Sequence, residues 1–250
     1  MSIRIQGICK SFGEQKVLEN IDFEFADSSV NMIIGASGSG KTVLAKCIVG
    51  LLKPDAGQIY YDDTDFLNQK EEELRLLRRK IGMLFQSSAL FDSKTVGENV
   101  AFPLEMFTKM TKNEINDRVA FCLERVNLPG SQNKFPSEIS GGMRKRVGIA
   151  RAIALNPKYL FCDEPNSGLD PKTAEVIDHL IENITDEFNT TTIVISHDIK
   201  SVLTIGDKIL FIYKGRKEWE GARHEIPTAT NLPLRDFIKT SGVNLEVITH

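Results

Sequence analysis

The sequence predicts a mixed α/β fold, with a largely parallel sheet interrupted by a mostly helical lobe. Three observations predict it. Short apolar runs recur at 30–34, 159–162, 192–195 and 208–213, as strands buried on both faces do. Helical patterns alternate with several of these runs, the arrangement of parallel α/β proteins. Between about residues 88 and 157 strand-like runs vanish, and helical spacing replaces them.

Taken in order, residues 3–25 alternate loosely between apolar and polar, with Gly7 and Gly13 as breaks. They read as antiparallel strands around a turn at Gly13-Glu14. A strand over 30–34 is followed by a glycine-rich loop and a helix over 42–52. Lys53-Pro54-Asp55-Ala56-Gly57 is a turn by composition, and 58–61 another strand. A charged helix spans 70–80, and a strand over 81–85 ends at Gln86. Within the helical lobe, Ile115, Val119, Cys122, Leu123 and Val126 share one face of a helix over 111–127. A helix over 171–188 separates the strands at 159–162 and 192–195. After Lys214 the chain is polar and shows no assignable pattern.

Composition sets bounds. The chain has 250 residues, 41% of them hydrophobic, enough for a sizeable core. Its formal net charge of −3 disfavours a dedicated nucleic-acid binder, so no nucleic acid is expected as a partner. No stretch has a signal-peptide profile, and the apolar runs are too short to span a bilayer. Cys9, Cys47, Cys122 and Cys162 are scattered in apolar company without a C-x-x-C pair. They read as buried thiols of a reducing compartment.

The chemistry concentrates after strands. Gly35-Ala36-Ser37-Gly38-Ser39-Gly40-Lys41-Thr42 lies between a strand and a helix. In that context glycines let backbone N–H groups converge on phosphate oxygens, with the helix N-terminus behind them. Lys41 adds a point charge, and Thr42 offers a hydroxyl to Mg²⁺. The strand at 159–162 ends in Asp163 and Glu164. Asp163 can hold Mg²⁺, and Glu164 is placed to polarise a water attacking a γ-phosphate. Next along, 193–195 leads into Ser196-His197-Asp198, where His197 reads as a γ-phosphate contact or as a turn residue. Gln86 reads equally as a metal or water contact and as a solvent-facing strand end.

Ser140-Gly141-Gly142 opens a helix ahead of Arg144-Lys145-Arg146. This is a second anion-binding pattern, surplus in one subunit unless it serves a second molecule. The alternative is a helix cap with a solvated basic face. Phe12, between Ser11 and Gly13, reads either as a nucleobase-stacking aromatic or as an anchor of the N-terminal sheet. Leu90, Phe91, Phe102, Leu104 and Met106 form an apolar patch that reads as a groove for a partner helix or as a private core.

Together these residues resemble the ATPase subunit of ABC transporters over about residues 3–215. Phe12 matches that family's adenine-stacking loop, 35–42 its phosphate loop and Gln86 its Q-loop. Ile139-Ser140-Gly141-Gly142-Met143 resembles its signature, 159–164 its second carboxylate motif, 167–170 its D-loop and His197 its switch histidine. The resemblance implies a P-loop NTPase core with an antiparallel β-subdomain and an inserted α-helical subdomain. The expected divisions are 1–87 and 158–215 for the core, 88–157 for the helical subdomain, and 216–250 for a tail. It implies ATP and Mg²⁺ as ligands, with Lys41, Glu164 and His197 catalytic and Thr42, Gln86 and Asp163 around the metal. It also implies a head-to-tail dimer sandwiching two ATP molecules, and a multi-helix permease that holds the subunit at the cytoplasmic face of the inner membrane.

Met143, where most of the family has Gln, and the segment 86–104 resemble the ATPase of Mla-type phospholipid transport systems. Those systems imply an MCE-domain lipid-binding partner and phospholipid cargo. An importer ATPase for amino acids or another small solute is the alternative. A non-transport ABC ATPase would carry a long coiled insertion or two ATPase domains, and a regulatory ATP-binding module would not need intact Glu164 and His197.

Overall fold

A computed structural model describes residues 2–242; positions 243–250 of the expected tail lie outside the described residues. In chain order the elements are β1 (Ile3–Phe12), β2 (Gln15–Phe25), β3 (Val30–Ile34), α1 (Lys41–Ile48), β4 (Ala56–Tyr61) and β5 (Thr64–Asp65). Then come α2 (Glu71–Arg78), β6 (Ile81–Leu84), α3 (Val96–Phe107), α4 (Lys112–Arg125), α5 (Gly141–Ile153), β7 (Tyr159–Asp163) and α6 (Pro171–Phe188). The chain closes with β8 (Thr191–Ser196), α7 (Ile199–Ile205), β9 (Lys208–Tyr213), β10 (Arg216–Ala222) and α8 (Leu232–Thr240). Two compact units form, one of Met1–Leu74 with Thr191–His250, the other of Arg75–Thr190. The architecture is an α/β P-loop core with an antiparallel β-subdomain and an inserted helical subdomain, as the motifs implied.

In the first unit an antiparallel sheet runs β2-β1-β4-β5. Ile3 and Ile5 face the core, and strict alternation would next bury position 7. A register shift between Ile5 and Ile8, at Gly7 with φ +61°, returns Ile8 to the core face. On β2, Asn20 at φ +49° does the same for Ile21 after Leu18. Elsewhere in this unit β3 lies between β8 and β9, parallel to both, and all five of its residues are buried. That double coverage is why 30–34 reads as a continuous apolar run. Within it, buried Asn31 accepts from Ala26 N–H at 2.7 Å and donates to the carbonyls of Ala26, Ser29 and Thr192. The one polar residue of the strand is thereby satisfied.

Two expectations about this unit are corrected. The helix after the phosphate loop stops at Ile48 rather than 52, because Gly50 turns left-handed at φ +77° against the Phe66 ring. The patternless stretch after Lys214 folds, with β10 pairing antiparallel to β9 and α8 burying Leu234 and Ile238. Phe237 of α8 stacks on Phe211 at 5.4 Å between ring centroids. β10 is mostly exposed and charged, so no apolar alternation marks it.

In the second unit β6 and β7 pair in parallel, and α5 packs on β6. Two glycines permit that approach. A Cβ at Gly82 would sit 2.4 Å from the Ala152 carbonyl oxygen, and one at Gly148 would sit 2.6 Å from Leu84 Cδ1. α3 and α4 each start in a capping box, Thr95 with Glu98 and Thr111 with Glu114. The segment ahead of α3 is fastened by Asn99, which is fully buried. Its carbonyl accepts from Phe91 N–H at 2.8 Å, and its amide donates to the carbonyls of Phe91, Lys94 and Thr95. Of the expected apolar patch, Leu104 belongs to the core, Leu90 and Phe102 are half-buried, and Phe91 and Met106 are exposed; Phe107 and Met110, outside that patch, are exposed as well.

The Asn99 network has a measurable consequence. Asn99→Ala should cost about 2–4 kcal/mol, because several buried backbone groups lose their partners together. Urea unfolding monitored by circular dichroism measures it. A loss below about 0.5 kcal/mol would mean that the 91–95 segment finds other partners.

Candidate nucleotide site

The first unit carries the phosphate loop. β3 delivers the chain to Gly35, and α1 begins at Lys41. Gly35, Gly38 and Gly40 take φ values of +150°, +78° and +106°. At two of them no side chain fits: a Cβ on Gly35 would meet the Ile212 carbonyl oxygen at 2.3 Å, and one on Gly40 would meet Leu18 Cδ2 at 2.8 Å. The loop is thus wedged between β9 and β2, while Ala36, Ser37 and Gly38 stay exposed. Gly40 caps α1 without a side-chain acceptor, and no acidic residue stands in the first turn. Such a helix start favours an anion.

Lys41 is only 7% exposed. Its ammonium donates to the carbonyls of Gly35 at 2.8 Å and Ala36 at 3.0 Å, folding back over its own loop. Ser39 Oγ is buried without a hydrogen-bond partner, an orphan that a bound phosphate would explain. A glycine cradle, a buried cation and an unsatisfied hydroxyl together fit a nucleotide phosphate tail.

Two further expected residues of this unit stand exposed at strand ends. His197 follows β8, ahead of Asp198, whose side chain caps α7 by accepting from Lys200 N–H. Phe12 ends β1 at the turn over Gly13, 49% exposed, with Lys10 Nζ 5.6 Å from its ring centroid. The anchoring role is therefore excluded for Phe12, and a stacking surface remains. Lys10 pairs with Asp55 at 2.7 Å, and that hydrogen bond holds the Asp55 carboxyl below its ordinary range.

The second unit holds the other motifs. Asp163 ends β7 buried, and Glu164 follows half-buried at φ +48°, a conformation glutamate rarely takes. Gln86 is exposed just beyond β6. Ser140 caps α5, its Oγ accepting from Met143 N–H at 3.2 Å. Gly142 is buried where a Cβ would sit 2.5 Å from Thr173 Cγ2 of α6. The basic run is not a free cationic face. Arg144 donates to the Ile139 carbonyl, Arg146 to that of Asn127, and Lys145 to those of Gln86 and Glu164. Sequence reading missed Lys145 as a site residue. Its signal was a lysine on the inward stripe Gly142, Lys145, Ile149, Ala152 of an otherwise apolar face.

Among the described residues no three His, Cys, Asp or Glu side chains cluster as a metal site. Thr42, Gln86 and Asp163 are oxygen donors of the kind Mg²⁺ accepts beside water and phosphate. Cys47, Cys122 and Cys162 are buried, and burial pushes their thiols up to about 11, 11 and 12. These three are unreactive core residues, as expected, whereas Cys9, expected with them, is only half-buried.

Residues 18–167 match the sequence model of the ABC transporter family. The chain belongs to that family. This ABC-transporter subunit is an ATP-hydrolysing ATPase. It is 37% identical over 95% of its length to a probable ribonucleotide transport ATP-binding protein of Mycobacterium leprae, 69% of which it covers. It is also 37% identical over 95% of its length to an intermembrane phospholipid transport system ATP-binding protein of Haemophilus influenzae, covering 90% of that chain. A methionine import ATP-binding protein of Caulobacter vibrioides is 40% identical over 90% of this chain, with 68% of its own length covered. Among solved structures, a dimeric ATP-binding cassette in a post-hydrolysis state with ADP and Pi superposes with a TM-score of 0.80 at 33% identity. That match covers 88% of this chain and 98% of the cassette. No helix among the described residues is long and apolar enough to cross a membrane.

Proposed function

We propose that two copies of this ATPase sandwich two ATP molecules and drive a transporter that moves phospholipid or a similarly hydrophobic cargo. The observation that carries the ATP reading is the phosphate loop, where Lys41 is buried against the Gly35 and Ala36 carbonyls beneath the exposed stretch Ala36-Ser37-Gly38. In this reading the loop amides and Lys41 hold the β- and γ-phosphates, and Phe12 stacks on the adenine. Thr42, Asp163 and Gln86 would hold Mg²⁺, which supplies charge neutralisation at the phosphates. Glu164 polarises the attacking water, and His197 orients it against the γ-phosphate.

Ser140 and its two glycines open a second anion-binding helix, which serves the ATP held by the other copy's phosphate loop. An isologous pair uses both such helices at once. The dimeric cassette with ADP and Pi supports this assembly. Glu164→Gln should retain ATP binding and lose about 10²–10⁴-fold in turnover, since it keeps shape and removes the base. With ATP the same variant should sediment as a dimer, and adding Ser140→Arg should return it to monomer. Turnover within about threefold of the parent contradicts the Glu164 role, and a monomer at all ATP concentrations contradicts the sandwich.

The cargo reading rests on the Met143 form of the signature, the 86–104 segment, and the 37% identity to a phospholipid transport ATPase of which 90% is covered. The similarity to a methionine import ATPase favours the second reading, a small-solute importer. The exposed side chains of Phe91, Met106, Phe107 and Met110 are the surface assigned to the permease. Purified with its membrane partners at the cytoplasmic face, the ATPase should bring down a multi-helix permease and an MCE-domain protein carrying phospholipid. The complex should then move labelled phospholipid between vesicles with ATP. ATPase stimulation by an amino acid and its binding protein, with no MCE-type partner, gives the importer reading instead.

A further inference from the structure

Three cations follow one another on α5, and only the middle one is buried. Lys145 faces inward on the stripe with Gly142 and Ile149, where an apolar side chain would fit the rest of the helix. A buried ammonium is unfavourable unless acceptors surround it, and burial pulls Lys145 below its ordinary pKa while Glu164 and Asp163 push it back up. The acceptors it finds are main-chain oxygens. Its Nζ donates to the carbonyl of Gln86 and, at 3.1 Å, to the carbonyl of Glu164. These two residues stand just beyond the ends of the paired strands β6 and β7.

Glu164 needs such a partner. Its backbone is left-handed, φ +48°, which costs energy for any residue other than glycine and persists only where surroundings enforce it. Two donors fix its carbonyl, Lys145 Nζ and, at 3.1 Å, Ser167 N–H. A held carbonyl fixes the peptide plane that follows Glu164 and, together with its left-handed φ, restricts the direction in which the Glu164 side chain leaves the backbone. The same ammonium ties that plane to the Gln86 backbone. Further along α5, Arg151 donates at 2.7 Å to the carbonyls of Ser88 and Ala89, both left-handed at φ +62° and +45°. The helix thus grips the 86–89 turn at Gln86, Ser88 and Ala89.

We propose that Lys145 is a positioning residue for ATP hydrolysis, holding the Gln86 and Glu164 backbones in one register so that the Glu164 carboxylate is presented to water. This rests on Glu164 being the group that polarises water. Lys145 touches neither nucleotide nor water in this role, so its loss should lower kcat and leave nucleotide affinity alone.

The test compares the full chain with Lys145→Met, Lys145→Arg and Lys145→Gln by ATPase kinetics, fluorescent-ATP binding and thermal melting. Lys145→Met should lower kcat about 10- to 100-fold, the scale of a misplaced catalytic group, with KM and affinity within about threefold of the parent. Lys145→Arg, which keeps donors on a long stem, should restore kcat to within about threefold. In a Glu164→Gln background, single-turnover rates should fall by less than about twofold on adding Lys145→Met, because the positioned group is already gone. Should Lys145→Met fail to fold, Lys145→Gln takes its place with the same kcat loss and unchanged affinity expected. A folded Lys145→Met or Lys145→Gln with parental kcat overturns the proposal, as does an equal loss with and without the Glu164 carboxylate. Parental turnover in Glu164→Gln alone overturns the Glu164 reading together with the proposal, whereas an inactive Glu164→Gln beside a fully active Lys145→Met overturns only the proposal.

Discussion

The turn from β3 into α1 is the constraint on which the rest depends. Its glycines at φ +150°, +78° and +106° have no L-residue substitute at two positions, because main chain and Leu18 crowd Gly35 and Gly40. The Lys41 ammonium closes the turn by bonding to the Gly35 and Ala36 carbonyls. The loop is therefore formed before any nucleotide arrives, and a bound phosphate finds it pre-organised. The fully buried β3 beneath it, covered on both edges by β8 and β9 and with its one polar residue, Asn31, hydrogen-bonded, supplies the stability that such a strained loop needs.

The second unit solves a related problem with cations. Beyond strands β6 and β7 the chain turns through carbonyls that α5 lies close enough to reach, because Gly82 and Gly148 lack side chains. Lys145 and Arg151 then hold the exits of both strands. Burial pulls both cations below their ordinary pKa values, a cost offset by their hydrogen bonds to main-chain oxygens. What looks in sequence like a basic patch is a set of main-chain clamps.

Much of this was legible in the sequence. The bounds of β3, α6 and β9 follow the apolar runs and helical spacing, since burial on defined faces writes itself into residue order. The phosphate loop was legible because its glycines answer a backbone demand. β10 and α8 were not: β10 is an exposed edge strand of charged residues, and α8 shows the core only Leu234 and Ile238. The end of α1 was misjudged because Leu51 and Leu52 extend the apolar run past Gly50, where the backbone turns left-handed and leaves the helix. Leu104 looked like part of an exposed patch because periodicity alone does not tell a helix's inner face from an outer apolar one. Lys145 was hidden by its neighbours, Arg144 and Arg146, which made a buried cation resemble part of a solvated run.

The central claim is that the Lys41 ammonium both closes the loop and receives the nucleotide phosphates. It is tested most directly by titrating ATP into the parent and Lys41→Ala proteins with Mg²⁺ present, by calorimetry, alongside circular dichroism spectra of each. The account predicts that Lys41→Ala keeps the parent spectrum and loses ATP affinity by at least about tenfold, the scale of a charge-assisted phosphate contact. ATP affinity within about threefold of the parent in a folded Lys41→Ala protein would contradict it.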